Sequence, residues 1–153
     1  MEVKLRKLSL MDLFGLIRAL SDEEVSKRLS YKEKSTFFKA LNEILRRKDN
    51  FKFSIIVNEK FAGGIMLENF DNKDNSCNVG YFVAKEYWGK GIATLAVKKI
   101  LKFAFNKLKV KKVKADNDLD NPASGKVLKK AGFKLVKVIK GKNLAFWEKK
   151  DGK

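Results

Sequence analysis

The chain has 153 residues, enough for one domain with a sizeable core, and its 44% hydrophobic content with 12 Phe excludes intrinsic disorder. It holds no His and a single Cys, Cys77, which removes internal disulfides, imidazole bases and zinc sites from consideration and points to a reducing compartment. The formal charge of +17 implies attraction to something anionic, whether nucleic acid, an acidic protein or a phosphorylated cofactor, although a lysine-rich solvated surface explains it equally well.

The first twenty residues start basic and turn apolar, as a signal peptide would. Asp12 and Arg18 interrupt that run, however, and no segment has the uninterrupted apolar length of a membrane span, so a cytoplasmic protein with no membrane partner is expected. Alternation of apolar and basic residues predicts a strand over 3–8. Ser9 followed by Asp12 resembles a capping box opening a helix whose apolar positions are Leu10, Leu13, Phe14 and Ile17. A short helix over 22–29 is acidic at its start and basic at its end, and a further helix is predicted over 33–47 with Phe37, Leu41, Ile44 and Leu45 on one face.

The period then changes. Strands are predicted over 51–57, 61–68 and 78–84, separated by a turn at 58–60 and a polar loop at 69–75, and read as an antiparallel meander. A long helix follows to about Leu108, its stripe formed by Ala93, Val97, Ile100, Leu101, Ala104 and Leu108. A strand over 111–115 precedes a helix opened by Asn121 and Pro122 and ended by Gly132, and a final hairpin pairs 133–139 with 143–148. The strand–helix–strand step across 78–115 requires a parallel, right-handed crossover in an otherwise mostly antiparallel sheet.

At that crossover lies Glu86-Tyr-Trp-Gly-Lys-Gly-Ile-Ala-Thr94. Two glycines alone signal no more than a tight turn. It lacks the spacing of a P-loop and the third glycine of a dinucleotide fingerprint. What remains is a loop opening a helix with free amides from Gly89 to Thr94, which suits a pyrophosphate; Lys90 can add charge and Thr94 a hydroxyl.

The ordered set Gly80-Tyr-Phe-Val-Ala84, Tyr87-Trp-Gly-Lys-Gly-Ile-Ala-Thr94, Asn121-Pro-Ala-Ser124 and Val127-Leu-Lys-Lys-Ala-Gly-Phe133 resembles the GCN5-related N-acetyltransferases (GNAT). Within them it is most similar to the ribosomal-protein N-terminal (alanine) acetyltransferases. The resemblance covers essentially the whole chain and implies one domain over 1–153. It also implies an α/β (α+β) fold: a mostly antiparallel sheet of about seven strands with a central, splayed parallel pair, flanked by about four helices.

The resemblance further implies acetyl-CoA as cosubstrate, no metal, and direct transfer to a primary amine in a ternary complex. The acceptor would be a protein N-terminus, such as that of a ribosomal protein, or a small amine. Trp88, Gly89, Lys90, Gly91, Ile92, Ala93 and Thr94 match the pyrophosphate motif, with Trp88 replacing the usual Gln or Arg. Tyr81, Phe82 and Val83 would pair with the pantetheine arm through their backbones, and Asn121 would contact that arm. Many relatives carry a general-acid Tyr seven residues after the Asn; Leu128 stands there, leaving Ser124 as the local candidate to assist the thiolate. Glu68 is the candidate base, with Asp71 as the alternative. A lone Cys77 with no base beside it does not suggest a thiol nucleophile. The competing reading is a non-catalytic basic module on the same fold, bound to RNA or the ribosome.

Overall fold

The computed structural model describes residues 1–29, 42 and 51–152. The helix expected over 33–47 thus falls almost wholly outside the described residues. The remainder forms a seven-stranded sheet in the order β1-β2-β3-β4-β5-β7-β6. Its strands are β1 (Val3–Lys7), β2 (Phe51–Val57), β3 (Lys60–Asp71), β4 (Ser76–Val83), β5 (Lys112–Asp118), β6 (Lys134–Ile139) and β7 (Leu144–Lys150). Only β4 and β5 are parallel; every other pair is antiparallel. The described helices are α1 (Leu13–Ser21), α2 (Glu23–Arg28), α3 (Ile92–Asn106) and α4 (Pro122–Lys130).

Alternation along the strands divides the sheet into two faces. One carries the main core, where Ile65, Leu67, Cys77, Val79 and Val113 pack with the α3 stripe Ile92, Ala96, Val97, Ile100, Leu101 and Ala104. This is close to the stripe expected from periodicity, with Ile92, Ala96 and Phe105 buried in addition and Ala93 and Leu108 only half-buried. α4 joins the same face through fully buried Leu128.

The other face is covered by α1 and α2. A Cβ added at Gly15 would stand 2.7 Å from the Phe61 ring, so α1 lies directly on β3 there. The apolar face expected for this region is corrected. Leu10 and Phe14 are exposed (62% and 85%), as is Met11, and the helix buries Leu16 and Ala19 instead. A 3-10 turn over Leu10–Asp12 takes Leu10 and Met11 out of the helical phase, and within α1 the buried Leu16 and Ala19 leave Phe14 on the opposite side. Asp12 does act as the sequence suggests, accepting from the Ser9 amide at 3.1 Å, and it is buried against Arg6 at 2.5 Å.

Strand ends differ from expectation where it matters. β5 runs to Asp118 rather than stopping at Ala115, and β3 to Asp71 rather than Glu68. Asn121 caps α4, its Oδ1 accepting from the Ser124 amide at 3.3 Å, and Gly132 follows the helix at φ +92°.

Candidate active site

The parallel pair is where the sheet opens. β4 and β5 are in register only for Ser76–Lys112, Cys77–Val113 and Asn78–Lys114. Beyond Asn78, β4 keeps its partner β3 (Tyr81 opposite Ile65, Phe82 opposite Gly64, Val83 opposite Gly63) but has no strand on its β5 side among the described residues. The backbone of Gly80 to Val83 therefore presents one edge without a strand partner, where the Val83 carbonyl accepts from the Trp88 indole. The closed end of this V is clamped by Asp74, which accepts from Ser76 Oγ at 2.5 Å and pairs with Lys114 at 3.0 Å and Lys112 at 3.3 Å. Those contacts, Ser76 first and then Lys114, hold the Asp74 carboxyl far below the usual carboxylate range.

Between the strands lies a cleft of about 1210 Å³. At its mouth, Gly89 and Gly91 hold φ of +73° and +75°, left-handed conformations that L side chains resist. Gly91 is the N-cap of α3, and the first intrahelical bond is Leu95 N–H to Gly91 C=O. Helix geometry leaves the preceding amides without intrahelical acceptors. None of the described residues comes within 4 Å of a Cβ built at either glycine, so among them the backbone faces open space. Such a cradle fits a pyrophosphate, and the free edge of β4 fits an extended amide-bearing arm.

The cleft gathers most of the residues singled out from sequence. Tyr81, Phe82 and Val83 line it from β4, and Trp88, Gly89, Gly91, Ile92, Ala93 and Thr94 from the loop and α3. Asn121 and Ser124 line it from α4, and Glu68 from β3. Lys90 stands apart: its ammonium donates to the Glu86 carbonyl at 3.0 Å and lies 5.7 Å from the centre of the Tyr87 ring. Asp71, at the end of β3, is also outside the lining. Trp88 is fixed by its indole N–H, which donates to the Val83 carbonyl at 2.7 Å, and Arg28 of α2 stacks 3.8 Å above its ring. Lys85 pairs with Glu24, tying α2 to the same loop.

A hydrogen-bonded chain spans the V. Tyr81 Oη lies 2.9 Å from Ser124 Oγ and 3.2 Å from the Ser124 carbonyl. Asn117 Nδ2 donates to the Asp118 and Asn121 carbonyls, and Trp147 Nε1 donates to Asn117 Oδ1 at 2.7 Å. Burial, only partly offset by Ser124, pushes the Tyr81 phenol up to about 12. Cys77 is fully buried in the core and its thiol is pushed up to about 11 by burial alone, unsuited to a nucleophile.

Two sets of cleft residues were not visible in the sequence. Lys126 and Lys130, one turn apart on α4, line the cleft with Arg28 and supply cations to it. Asp116 and Asp118 line it from β5. Register places them with Glu68: Glu68 is opposite Asn78, Asn78 is opposite Lys114, and residues two apart share a face. These three carboxylates therefore stand on the α1–α2 face of the sheet, whereas Tyr81 and Ser124 stand on the α3–α4 face. Burial, and then the neighbouring Asp118 charge, raise the Asp116 carboxyl above its ordinary value. Their signal was masked because Asp-Asn-Asp reads as a turn; on a strand so poorly suited to those residues, they mark a site.

Comparison with known proteins agrees with this architecture. The model of the "Acetyltransferase (GNAT) domain" family matches residues 2–134. The N-acetyltransferase p20 of Bacillus licheniformis, itself uncharacterized, is 28% identical over 137 residues, covering 84% of this chain and 77% of that protein. Among solved structures, the aminoglycoside acetyltransferase AAC(6')-Ib in complex with coenzyme A and kanamycin superposes with a TM-score of 0.81 at 17% identity, covering 97% and 95% of the two chains. The spermidine N-acetyltransferase of Vibrio cholerae in complex with CoA and spermine gives 0.78 at 18% identity, covering 95% and 92%. The chain belongs to the GNAT acetyltransferase family and is an acetyl-CoA-dependent N-acetyltransferase.

Proposed function

We propose that this acetyltransferase acts on a cationic primary amine that enters from the α1–α2 face, with Asp116 receiving the proton that the amine loses. The observation that carries this reading is that Glu68, Asp116 and Asp118 share one face of the sheet and line the cleft, in a chain of charge +17. An amine meeting such a basic molecule is repelled at long range, and a local acidic wall reverses that sign at the site. A small polyamine or aminoglycoside, such as occupies the structural neighbours, and a protein N-terminus, including that of a ribosomal protein, both satisfy this charge pattern.

In this reading the cradle from Gly89 to Thr94, with Trp88 as its floor, holds the pyrophosphate, and Lys126, Lys130 and Arg28 add charge around the phosphates. The free edge of Tyr81, Phe82 and Val83 receives the pantetheine amides, and Asn121 orients the same arm. Acetyl-CoA supplies the activated acyl group. Burial raises the Asp116 carboxyl, which makes it a stronger base than an ordinary carboxylate. Glu68 shares the wall and holds the ammonium before transfer. The single-domain reading over 1–153 accompanies this proposal.

Mass spectrometry of products from a panel of polyamines, aminoglycosides and peptides incubated with acetyl-CoA tests the acceptor. Acetylation of dicationic amines or basic N-terminal peptides in preference to neutral-tailed amines supports the acidic wall; indifference to acceptor charge counts against it.

A second reading is favoured by charge distribution. Residues 85–153 carry 20 Lys against 6 Asp and Glu, so they hold +14 of the +17. Many of these lysines lie exposed on α3, α4 and β6, including Lys98, Lys99, Lys102, Lys129, Lys134 and Lys137. Such a face suits RNA or ribosome association alongside catalysis. It would appear as RNA affinity that falls steeply with salt and persists with CoA bound.

A further inference from the structure

We propose that Tyr81 is a positioning residue for the leaving thiolate, acting through Ser124: its phenol donates to Ser124 Oγ and frees the serine proton to point at the sulfur. This rests on the acetyl-transfer reading above, and it assigns to β4 a role that would otherwise fall to a side chain of α4.

The geometry is specific. Ser124 lies in the first turn of α4, its amide held by Asn121 Oδ1 at 3.3 Å, so its backbone cannot drift. Its hydroxyl has one proton to give, and its partner Tyr81 Oη is 2.9 Å away. If the serine donates to the phenol, the cleft receives nothing; if the phenol donates to the serine, Ser124 Oγ–H is available to the ligand. A developing negative charge in the cleft selects the second arrangement, because a donor aimed at that charge gains most when the charge is largest. The alternative acceptor for the phenol, the Ser124 carbonyl at 3.2 Å, lets the rotor wait in place before bond cleavage.

The phenol is also a fixed donor. Burial keeps it protonated throughout the neutral range, so it holds its proton and does not pass it on. The pair thus stabilises the thiolate by hydrogen bonding. The balance is complete without it losing a proton: the ammonium gives one proton to the carboxylate on the opposite face, the neutral nitrogen bonds to the acyl carbon, the carbon–sulfur bond breaks with its electron pair on sulfur, and the nitrogen's second proton leaves to water, from which the thiolate is protonated.

Location supports this division. The carboxylates stand on the α1–α2 face and the hydroxyl pair on the α3–α4 face, so base and thiolate site flank the gap from opposite sides. Asn117 and Trp147 brace the far arm of the same chain of bonds.

The test uses the full chain with Tyr81→Phe, Ser124→Ala and the double variant. Affinity for CoA, measured by calorimetry, is expected to change less than threefold in each. The kcat with acetyl-CoA should fall about tenfold in Tyr81→Phe and somewhat more in Ser124→Ala, with the double variant no slower than Ser124→Ala alone. The decisive readout is the ionisation of bound CoA, followed by thiolate ultraviolet absorbance with the dethio-CoA complex subtracted. The acid dissociation constant of the bound thiol should fall about tenfold in Tyr81→Phe. An unchanged constant, or kcat effects that multiply independently, overturns the proposal, since a merely structural tyrosine would move neither pattern. Failure of the unaltered chain to bind CoA would instead overturn the acetyl-transfer reading beneath it.

Discussion

Replacing Gly91 separates the loop's conformation from its ligand chemistry, because the two make opposite demands on the substituent. The residue sits at φ +75° as the N-cap of α3, and a Cβ there meets no atom of the described residues within 4 Å. Packing therefore contributes nothing to the cost of substitution, and only the left-handed backbone does, about 1–2 kcal/mol for an ordinary L residue. For a domain of this size that lowers the melting temperature by about 2–8 °C. Asp tolerates this conformation better than Ala, so Gly91→Asp should melt no lower than Gly91→Ala. Ligand binding should follow the reverse order. A carboxylate about 5 Å from a phosphate, at an effective dielectric near 20, is repelled by about 3 kcal/mol, or roughly 100-fold in affinity after modest screening. Calorimetric titration of CoA into the three proteins, with melting curves of the free forms, provides the comparison. If Gly91→Asp binds CoA within twofold of Gly91→Ala, or if affinity merely tracks melting temperature, the cradle does not hold a phosphate.

Asp116→Asn is expected to lower kcat about 100-fold. Because the fold raises this carboxyl above 3.8, its base form is gained as pH rises through the raised value, and the acidic limb of the kcat/KM profile should disappear in the variant. Asp12→Ala removes the Ser9 cap and the Arg6 partner together; with Arg6 half-exposed the loss is about 2 kcal/mol, read as a melting temperature lower by about 4–8 °C. Asp74 titrates well below its unfolded value, so its stabilisation is present above the unfolded pKa near 3.8 and is lost as pH falls below it. Thermal melts of the unaltered chain and Asp74→Asn should accordingly converge between about pH 5 and pH 2, and parallel curves would show that the clamp is not electrostatic.

Legibility in the sequence followed locality. Both glycines of the cradle, the Asn121 cap and the α3 stripe are written in consecutive residues, since positive φ, capping and helical period are short-range constraints. The α1 face misled because a three-residue 3-10 turn takes Leu10 out of the helical phase, and because α1 buries the side of Leu16 and Ala19, which leaves Phe14 in solvent. The far end of β5 misled for a different reason. Asp116, Asn117 and Asp118 have low strand propensity, and only pairing with β7 across a distance of some thirty residues holds them extended.

Sequence by itself was enough to determine the order of the described elements, the parallel crossover, the glycine loop that opens α3 and the acetyltransferase resemblance, because each is built from short-range patterns taken in chain order. Only the tertiary structure decided which side chains meet. Register alone places Glu68 on the same sheet face as Asp116 and Asp118, and the splay of β4 from β5 alone brings the Tyr81 phenol to Ser124, 43 positions away. The physical reason is that strand alternation fixes faces only after pairing has fixed phase, and pairing is a property of the whole sheet.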